Sequence, residues 1–468
     1  SDNTGFGHEV FDDLTTGDGN TGIGHESLSK LTTGSSNTAV GDVSLQNNTT
    51  GVFNTAVGKC ALDTNTEGHC NVAVGALSLN KNTTGDFNVA VGFCSLRCNA
   101  TTDNNTAVGA FALNKNTANS NTAVGKSTLA CNTSGANNTA LGNSMETNTT
   151  GSNNTAAGNG ALQSNTTASG NTGIGRIALS ANTTGANNVG VGFCVLRTNT
   201  TGAGNTSVGA CSLCHNTTAA NNTAVGLCAL HENTTGHSNV AVGQGALDAN
   251  TTANQNTAIG ADALTTATTA GSNTAIGHDA LKATTTGGQN NAFGDGAMVA
   301  NTTGCRNVAM GNGVMFKNTE GECNTALGHT ALACNTTGDN NTAIGHQALK
   351  ASTTASGNTA VGTDALDSNT TGSSNTGVGW GVLQTNTTGS SNIAIGRNSL
   401  YVNTTGAQNT SIGVESLDAN TTANDNTAVG FASLGATTTG HSNVAVGRDS
   451  MLGNLTGDGN TALGYKAL

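Results

Sequence analysis

The chain has 468 residues, a formal net charge of −12, 9% charged residues, 3% aromatic residues, 66 glycines and no proline. So few basic and aromatic residues argue against a nucleic-acid partner. No apolar stretch approaches the roughly 20 residues that a membrane-spanning helix needs, so we expect no membrane insertion.

One phrase, Asn-Thr-Ala-Val-Gly, returns along the whole chain. Its Asn recurs every 17 residues from Asn3 to Asn460, with two intervals of 16 residues, which gives 28 copies. A short regular period is typical of solenoids, in which each unit is stable only against its neighbours. Because no linker or composition shift interrupts the period, we predict one continuous repeat domain over residues 1–468.

Numbered from this Asn, a typical copy reads N-T-A-V-G-x-x-A-L-x-x-N-T-T-G-x-x, as in residues 358–374. Positions 1 to 5 predict a first β-strand, and positions 7 to 10, with Leu at position 9, predict a second. The Asn-Thr-Thr-Gly stretch predicts the closing turn. β-branched residues, Asn and glycines leave no run long enough to propagate a helix.

These elements predict an all-β parallel β-solenoid of about 28 coils of 17 residues, with strands of successive coils about 4.8 Å apart. We expect the aliphatic side chains of positions 4 and 9 to form a thin core, and the invariant Asn of position 1 to form an inward ladder. Two aliphatics contribute about 1.5–3 kcal/mol each, against an ordering cost of about 1–2 kcal/mol per residue. We therefore expect further burial against other chains along the small-residue face of position 3.

The repeat resembles the head repeats of YadA-like trimeric autotransporter adhesins, and it is similar to the repeat arrays of phage and viral tail-fibre-like proteins. The resemblance rests on the Asn-Thr-Ala-Val-Gly phrase, the Ala-Leu pair after two free residues and the Gly-containing turn, and it covers the whole chain. It implies a left-handed parallel β-roll, usually trimeric, that serves as an adhesin head or a fibre shaft. The adhesin repeat is shorter, so the extra residues are expected to enlarge one turn.

Position 12 carries a second Asn, usually within an N-x-[ST] sequon. Leu14, Leu31, Thr284 and Ser352 replace it, and this tolerance leads us to expect an exposed position. Exposed sequons are candidates for N-glycosylation in a secreted protein, although Asn and Thr also form turns without any sugar. The candidate residues are Asn48, Asn82, Asn182, Asn199, Asn335, Asn386, Asn403 and Asn454.

The twelve cysteines follow the register of the repeat. Cys194, Cys211 and Cys228 occupy position 7 of three consecutive coils, within the Cα separation that a disulfide allows if the coils stack. Cys305 and Cys323, at positions 16 and 17 of adjacent coils, are a second candidate pair. Small half-buried thiols are the alternative.

Cys211-Ser-Leu-Cys214 followed by Cys228-Ala-Leu-His231 imitates a CxxC…CxxH zinc motif. On an extended strand, positions 7 and 10 are about 10 Å apart, whereas zinc needs its ligands within about 2.3 Å of the metal. We therefore expect no metal site. The histidines that stack in register, His8 over His25 and His329 over His346, are expected to be solvated surface residues.

No coil combines a nucleophile, a base and an orienting group, so we expect no catalytic residues, no cofactor and no enzymatic activity. The leading hypothesis is an extracellular structural or adhesive fibre or filament subunit, a stiff solenoid rod at a cell surface or on a virion. It would self-associate as a homotrimer or an end-to-end filament, with cell-surface glycans as candidate ligands. The alternative is an ice-binding or glycan-binding solenoid that uses one face as a repetitive array. The threonines of Asn-Thr-Thr lie in a turn, which counts against ice.

Overall fold

The structure is a computed structural model that describes residues 2–468. It divides into two compact units, Ser1–Thr235 and Gly236–Leu468, which are described separately. Each unit is a parallel β-solenoid with one three-residue strand per coil, and residues 2–468 contain no helix. The predicted fold class is confirmed.

The strands recur with the period of the sequence. In the first unit they are β1 (Thr4–Phe6), β2 (Thr21–Ile23), β3 (Thr38–Val40), β4 (Thr55–Val57), β5 (Val72–Val74), β6 (Val89–Val91), β7 (Thr106–Val108), β8 (Thr122–Val124), β9 (Thr139–Leu141), β10 (Thr155–Ala157), β11 (Thr172–Ile174), β12 (Val189–Val191), β13 (Thr206–Val208) and β14 (Thr223–Val225). In the second unit they are β15 (Val240–Val242), β16 (Thr257–Ile259), β17 (Thr274–Ile276), β18 (Asn291–Phe293), β19 (Val308–Met310), β20 (Thr325–Leu327), β21 (Thr342–Ile344), β22 (Thr359–Val361), β23 (Thr376–Val378), β24 (Ile393–Ile395), β25 (Thr410–Ile412), β26 (Thr427–Val429), β27 (Val444–Val446) and β28 (Thr461–Leu463).

Within each unit, every strand pairs in parallel with the strand of the next coil, and equivalent positions face each other. In the first unit, β3 pairs with β4 so that Thr38 lies opposite Thr55. In the second unit, β16 pairs with β17 so that Thr257 lies opposite Thr274. Each 17-residue copy is therefore one circuit of backbone, and equivalent side chains lie above one another.

The second predicted strand is wrong. Positions 6 to 11 form turns in most of the described coils, and there the residues at positions 7 and 9 have positive φ, as in Val43 (56°) and Leu45 (52°). A left-handed conformation costs about 1–2 kcal/mol for a residue other than Gly. The fully buried side chain of Leu45 offsets that cost.

The core is also distributed differently from the prediction. Position 9 is buried as expected, but position 4 is not: Val57 is 37% exposed, whereas its neighbour Ala56 at position 3 is fully buried. Successive side chains of a strand point to opposite faces, so the burial of position 3 turns positions 2 and 4 outward. The predicted core ladder at position 4 is wrong.

Position 3 is small because it packs against the chain's own core, not against another chain. A Cβ added to Gly173 at position 3 would lie 3.2 Å from the Leu162 side chain of the preceding coil. Such a contact leaves room for Gly, Ala or Ser and nothing larger. The expected interchain burial along position 3 is therefore wrong.

The Gly of position 5 is required by backbone geometry. Gly92 has a φ of +132°, and a Cβ on it would lie 2.7 Å from the carbonyl carbon of Gly109 in the next coil. A side chain would be strained by that φ and would collide with the neighbouring backbone.

The inward Asn ladder predicted at position 1 is confirmed. The Asn37 amide nitrogen Nδ2 donates to the Gly51 carbonyl of its own coil at 2.9 Å. Its Oδ1 accepts the backbone N–H of Asn54 in the next coil at 3.0 Å. Both asparagines are fully buried, so a side-chain ladder ties each coil to the next beside the strand hydrogen bonds.

Candidate functional site

One repetitive surface of each unit is the outward side of its strands, formed by the side chains of positions 2 and 4. We call this surface the outer sheet face. Position 4 carries aliphatic side chains that are half-exposed, such as Val108 at 37%, Val124 at 39% and Ile259 at 39%. Position 2 carries mostly Thr, with Val or Ile in some coils and Asn291 in β18, and it is also at least partly exposed.

The outer sheet face has no charged side chain at position 2 or 4 in any described strand. Fourteen strands at about 4.8 Å spacing, each three residues of about 3.3 Å long, give a strip of roughly 670 Å² in each unit. The apolar part of this strip is the position 4 column, because position 2 is mostly Thr, and contiguous apolar patches of a few hundred Å² are often functional. The strip is therefore a candidate interaction surface.

Aromatic side chains stand at position 6, two residues beyond the outward side chain of position 4. Phe93, Phe193 and Trp380 are each about half exposed. Phe93 makes an edge-to-face contact with Phe111, with ring centroids 5.4 Å apart. Exposed aromatic rings add contact area to a surface that already lacks charge.

The asparagines of position 12 are not exposed, so that prediction is wrong. The Asn199 Nδ2 donates to Asn182 Oδ1 of the preceding coil at 2.8 Å and to the Gly202 carbonyl at 2.9 Å. A second internal Asn ladder therefore runs along this edge. Seven of the candidate glycosylation residues are fully buried, namely Asn48, Asn82, Asn182, Asn199, Asn335, Asn386 and Asn403.

Burial changes what glycosylation of these residues would require. Each glycan attaches to the amide nitrogen, and in the folded coils that nitrogen already donates hydrogen bonds inside the chain. A sugar on these seven residues would have to be added before the coils stack. Asn454 is the exception because it is half-exposed.

The cysteines lie in the columns that the sequence predicts. Cys194, Cys211, Cys305 and Cys323 carry free thiols in the structure. Burial, followed by contact with Cys194, raises the pKa of the Cys211 thiol. The Cys323 N–H donates to the Cys305 carbonyl at 3.1 Å, which places those two residues on adjacent coils. Bridging within these pairs, and of Cys228 with its column, stays a prediction.

The structure brings together a Cys and His cluster that the sequence motif did not identify. Cys214 and His215, at positions 10 and 11, lie beside His231 and Glu232, at the same positions of the next coil. Cys214 is buried, and desolvation raises the pKa of its thiol to about 11. The expectation of no metal site rests on an extended strand through these positions. That premise is wrong here, since the segment is a turn in which Leu213 has a φ of 48°.

The stacked histidine pairs lie on the surface, as predicted. The rings of His8 and His25 are parallel with centroids 5.5 Å apart, and those of His329 and His346 are also 5.5 Å apart. His25 lies 3.3 Å from an Asp42 carboxylate oxygen. These side chains are largely exposed.

No helix in residues 2–468 has the length and apolar character needed to cross a bilayer. Comparison with known proteins adds no assignment: no protein-family model and no curated protein sequence matches the chain.

Proposed function

We propose that this chain is a non-catalytic structural or adhesive fibre subunit that acts outside the cell, at a cell surface or on a virion. In this proposal it self-associates through the outer sheet face. The observation that carries the proposal is the uncharged, half-exposed aliphatic column that continues through the strands of each unit. The repeat resemblance to trimeric adhesins and tail fibres supports the same function.

A second copy of the chain is the partner that fits this surface best. Each coil adds the same two outward side chains, so a copy presents columns with the same spacing of about 4.8 Å. The roughly 670 Å² strip of one unit is close to the ~800 Å² that each partner buries in a standard protein interface. The absence of charge at positions 2 and 4 removes the repulsion that identical charged surfaces would suffer.

The proposal is tested by the mass of the tag-free chain in solution, measured by light scattering over a range of concentrations. We expect a multimer, and a trimer if the adhesin resemblance extends to stoichiometry. The double variant Val108→Lys and Val208→Lys places two cations on the outer sheet face, where both residues are 37% exposed. Burying an unpaired ammonium is unfavourable, so the mass should fall toward that of the monomer.

Thr201→Lys is the matched control because Thr201 is exposed but lies at position 14, outside the outer sheet face. This variant should keep the wild-type mass. A wild-type chain that remains monomeric at tens of micromolar would refute self-association through this face. Equal effects of the face and control substitutions would refute the assignment of the surface.

Ice binding is a second candidate function, and one observation favours it. The Thr side chains of position 2, as in Thr38 and Thr55, lie on the outward side of a strand, in register from coil to coil. The objection that applied to the turn threonines of Asn-Thr-Thr therefore does not apply to them. A monomeric chain that shows thermal hysteresis, reduced by Thr38→Lys and Thr55→Lys, would favour this function over the fibre.

A further inference from the structure

The cluster of Cys214, His215, His231 and Glu232 is created by the stacking of two coils. The His215 N–H donates to the His231 carbonyl at 3.1 Å, so the two turns run side by side in the first unit. The two imidazole rings lie with centroids 4.8 Å apart and planes inclined by 45°. Residues 17 apart in the sequence thus share one patch.

The ligand atoms of this patch converge. Cys214, His215 and His231 each offer one such atom, and the three atoms lie within 4.8 Å of one another. In a tetrahedral zinc site, with Zn–N near 2.1 Å and Zn–S near 2.3 Å, ligand atoms are roughly 3.4–3.8 Å apart. Because no separation exceeds 4.8 Å, side-chain rotations that shorten the widest gap by at most about 1.4 Å would complete the geometry.

Glu232 supplies the carboxylate that often supports metal-binding histidines. Its Oε2 lies 3.0 Å from His215 Nδ1, and its Oε1 lies 3.1 Å from His231 Nδ1. A carboxylate that accepts a hydrogen bond from each Nδ1–H selects the tautomer in which Nε2 carries the lone pair. Both rings would then present Nε2 to a metal ion.

The charges and burial of the patch suit a soft divalent cation. Cys214 is 4% exposed, whereas the two histidines are half-buried, so an ion could reach the thiol from the histidine side. A thiolate and the Glu232 carboxylate together balance two positive charges.

We propose that Cys214, His215 and His231 bind one Zn²⁺ ion per chain, with Glu232 orienting the imidazoles and water in the fourth position. Thiolate and imidazole ligands suit zinc better than magnesium or calcium, which prefer oxygen. Because the ligands come from two consecutive coils, the ion would clamp one coil to the next. This inference does not depend on the proposed fibre function.

The experiment is a titration of the reduced, tag-free chain with Co²⁺ and then with Zn²⁺. We expect one Co²⁺ per chain, a thiolate-to-cobalt charge-transfer band and the visible absorption of tetrahedral cobalt. Zn²⁺ should displace the cobalt and bleach both features. A wild-type chain without the charge-transfer band overturns the proposal, whatever the variants do.

Variants assign the ligands. Cys214→Ser should abolish the charge-transfer band, His231→Gln should raise the dissociation constant at least about 10-fold, and Glu232→Gln should raise it about 10- to 100-fold. His346→Gln is the matched control, since it alters a stacked His pair outside the Cys214 cluster. A band that survives Cys214→Ser, or binding that is lost in His346→Gln, overturns the assignment.

Discussion

Replacement of Asn199 by Ala tests whether the position 12 ladder is internal and stabilising. Asn199 Nδ2 donates to Asn182 Oδ1 at 2.8 Å and to the Gly202 carbonyl at 2.9 Å, and its Oδ1 accepts from Asn216 Nδ2 at 2.7 Å. Asn199→Ala removes all three bonds. The Gly202 carbonyl keeps a bond from Asn188, and Asn216 keeps one to a backbone carbonyl, but Asn182 Oδ1 loses its amide partner inside a buried site.

The magnitude follows from these contacts. Each net hydrogen bond is worth about 0.5–1.5 kcal/mol, and a buried acceptor left without a partner costs about 1–3 kcal/mol. Since two of the former partners retain bonds, we expect a loss of about 2–4 kcal/mol in local stability. At 1.4 kcal/mol per factor of ten, amide exchange in the adjoining coils should become roughly 30- to 700-fold faster.

Hydrogen–deuterium exchange of the full chain, resolved by peptide, is the appropriate assay because repeat arrays depart from all-or-none unfolding. The amide of Thr200, which donates to the Thr217 carbonyl at 2.8 Å, reports on the affected coils. Thr201→Ala is the control, since Thr201 is exposed in the same turn. If the two variants exchange at similar rates, the ladder does not provide the stability inferred here.

Three further predictions test the assignment of faces, the Gly corner and the half-buried carboxyl of Asp367. Ala107→Val should lower the free energy of unfolding by about 1–3 kcal/mol because it overpacks position 3. Val108→Ala, on the outer sheet face, should lower it by less than about 1 kcal/mol. Equal shifts of the two variants in thermal unfolding would contradict the assignment of inward and outward faces. Gly92→Ala should lower the free energy of unfolding by about 2–4 kcal/mol. Gly453→Ala is the control, because no atom lies within 4 Å of the added Cβ, and thermal unfolding should show almost no change in its stability. Burial raises the pKa of the Asp367 carboxyl, so its contribution to stability is complete below the unfolded-state pKa and is lost as pH rises through the higher folded-state pKa. Asp367→Asn should therefore be more stable than wild type at neutral pH, with the difference vanishing below about pH 3 in urea titrations; a constant difference would contradict the assignment.

The sequence period was sufficient to predict the coils, but the hydrophobic pattern was not sufficient to orient them. A strand alternates its side chains, so either position 3 or position 4 had to face inward. The larger residue suggested position 4, whereas the space beneath the position 9 Leu admits only the small residue of position 3. The larger side chain at position 4 therefore led to the wrong choice of inward face. The sequence did not reveal how little space lies beneath the position 9 Leu.

The second strand could not be excluded from the sequence because its turn lacks the usual turn residues. Left-handed φ is normally a sign of Gly or Asn, yet Val43 and Leu45 adopt it here. The prediction that position 12 is exposed was wrong because the replacement of its Asn by Leu was read as tolerance. Leu31, which replaces the Asn there, is fully buried, so the Leu was a sign of burial.

The cluster of Cys214, His215, His231 and Glu232 was missed because the motif was sought along the chain instead of across coils. The CxxC…CxxH template connects positions 7 and 10, but stacking joins positions 10 and 11 of one coil to the same positions of the next. His215 and Glu232 were therefore visible only as residues 17 apart. In a solenoid, a search for ligands at i and i+17 would have found them.

The two 16-residue coils show which part of the repeat sets the register. The Asn121 N–H donates to Asn105 Oδ1 at 3.0 Å across one short coil, and the Asn154 N–H donates to Asn138 Oδ1 at 3.0 Å across the other. The same bond in a 17-residue coil is also 3.0 Å.

The strands flanking each short coil also remain in parallel register. In the second short coil the corner Gly142 has a φ of 83°, compared with 133° for Gly125, so the turn after the strand absorbs the missing residue. The ladder and the strand are thus the invariant parts, and the turns adjust to them. For that reason the outer sheet face of the first unit continues without interruption through coils of both lengths, which the proposed self-association through many weak, equivalent contacts would require.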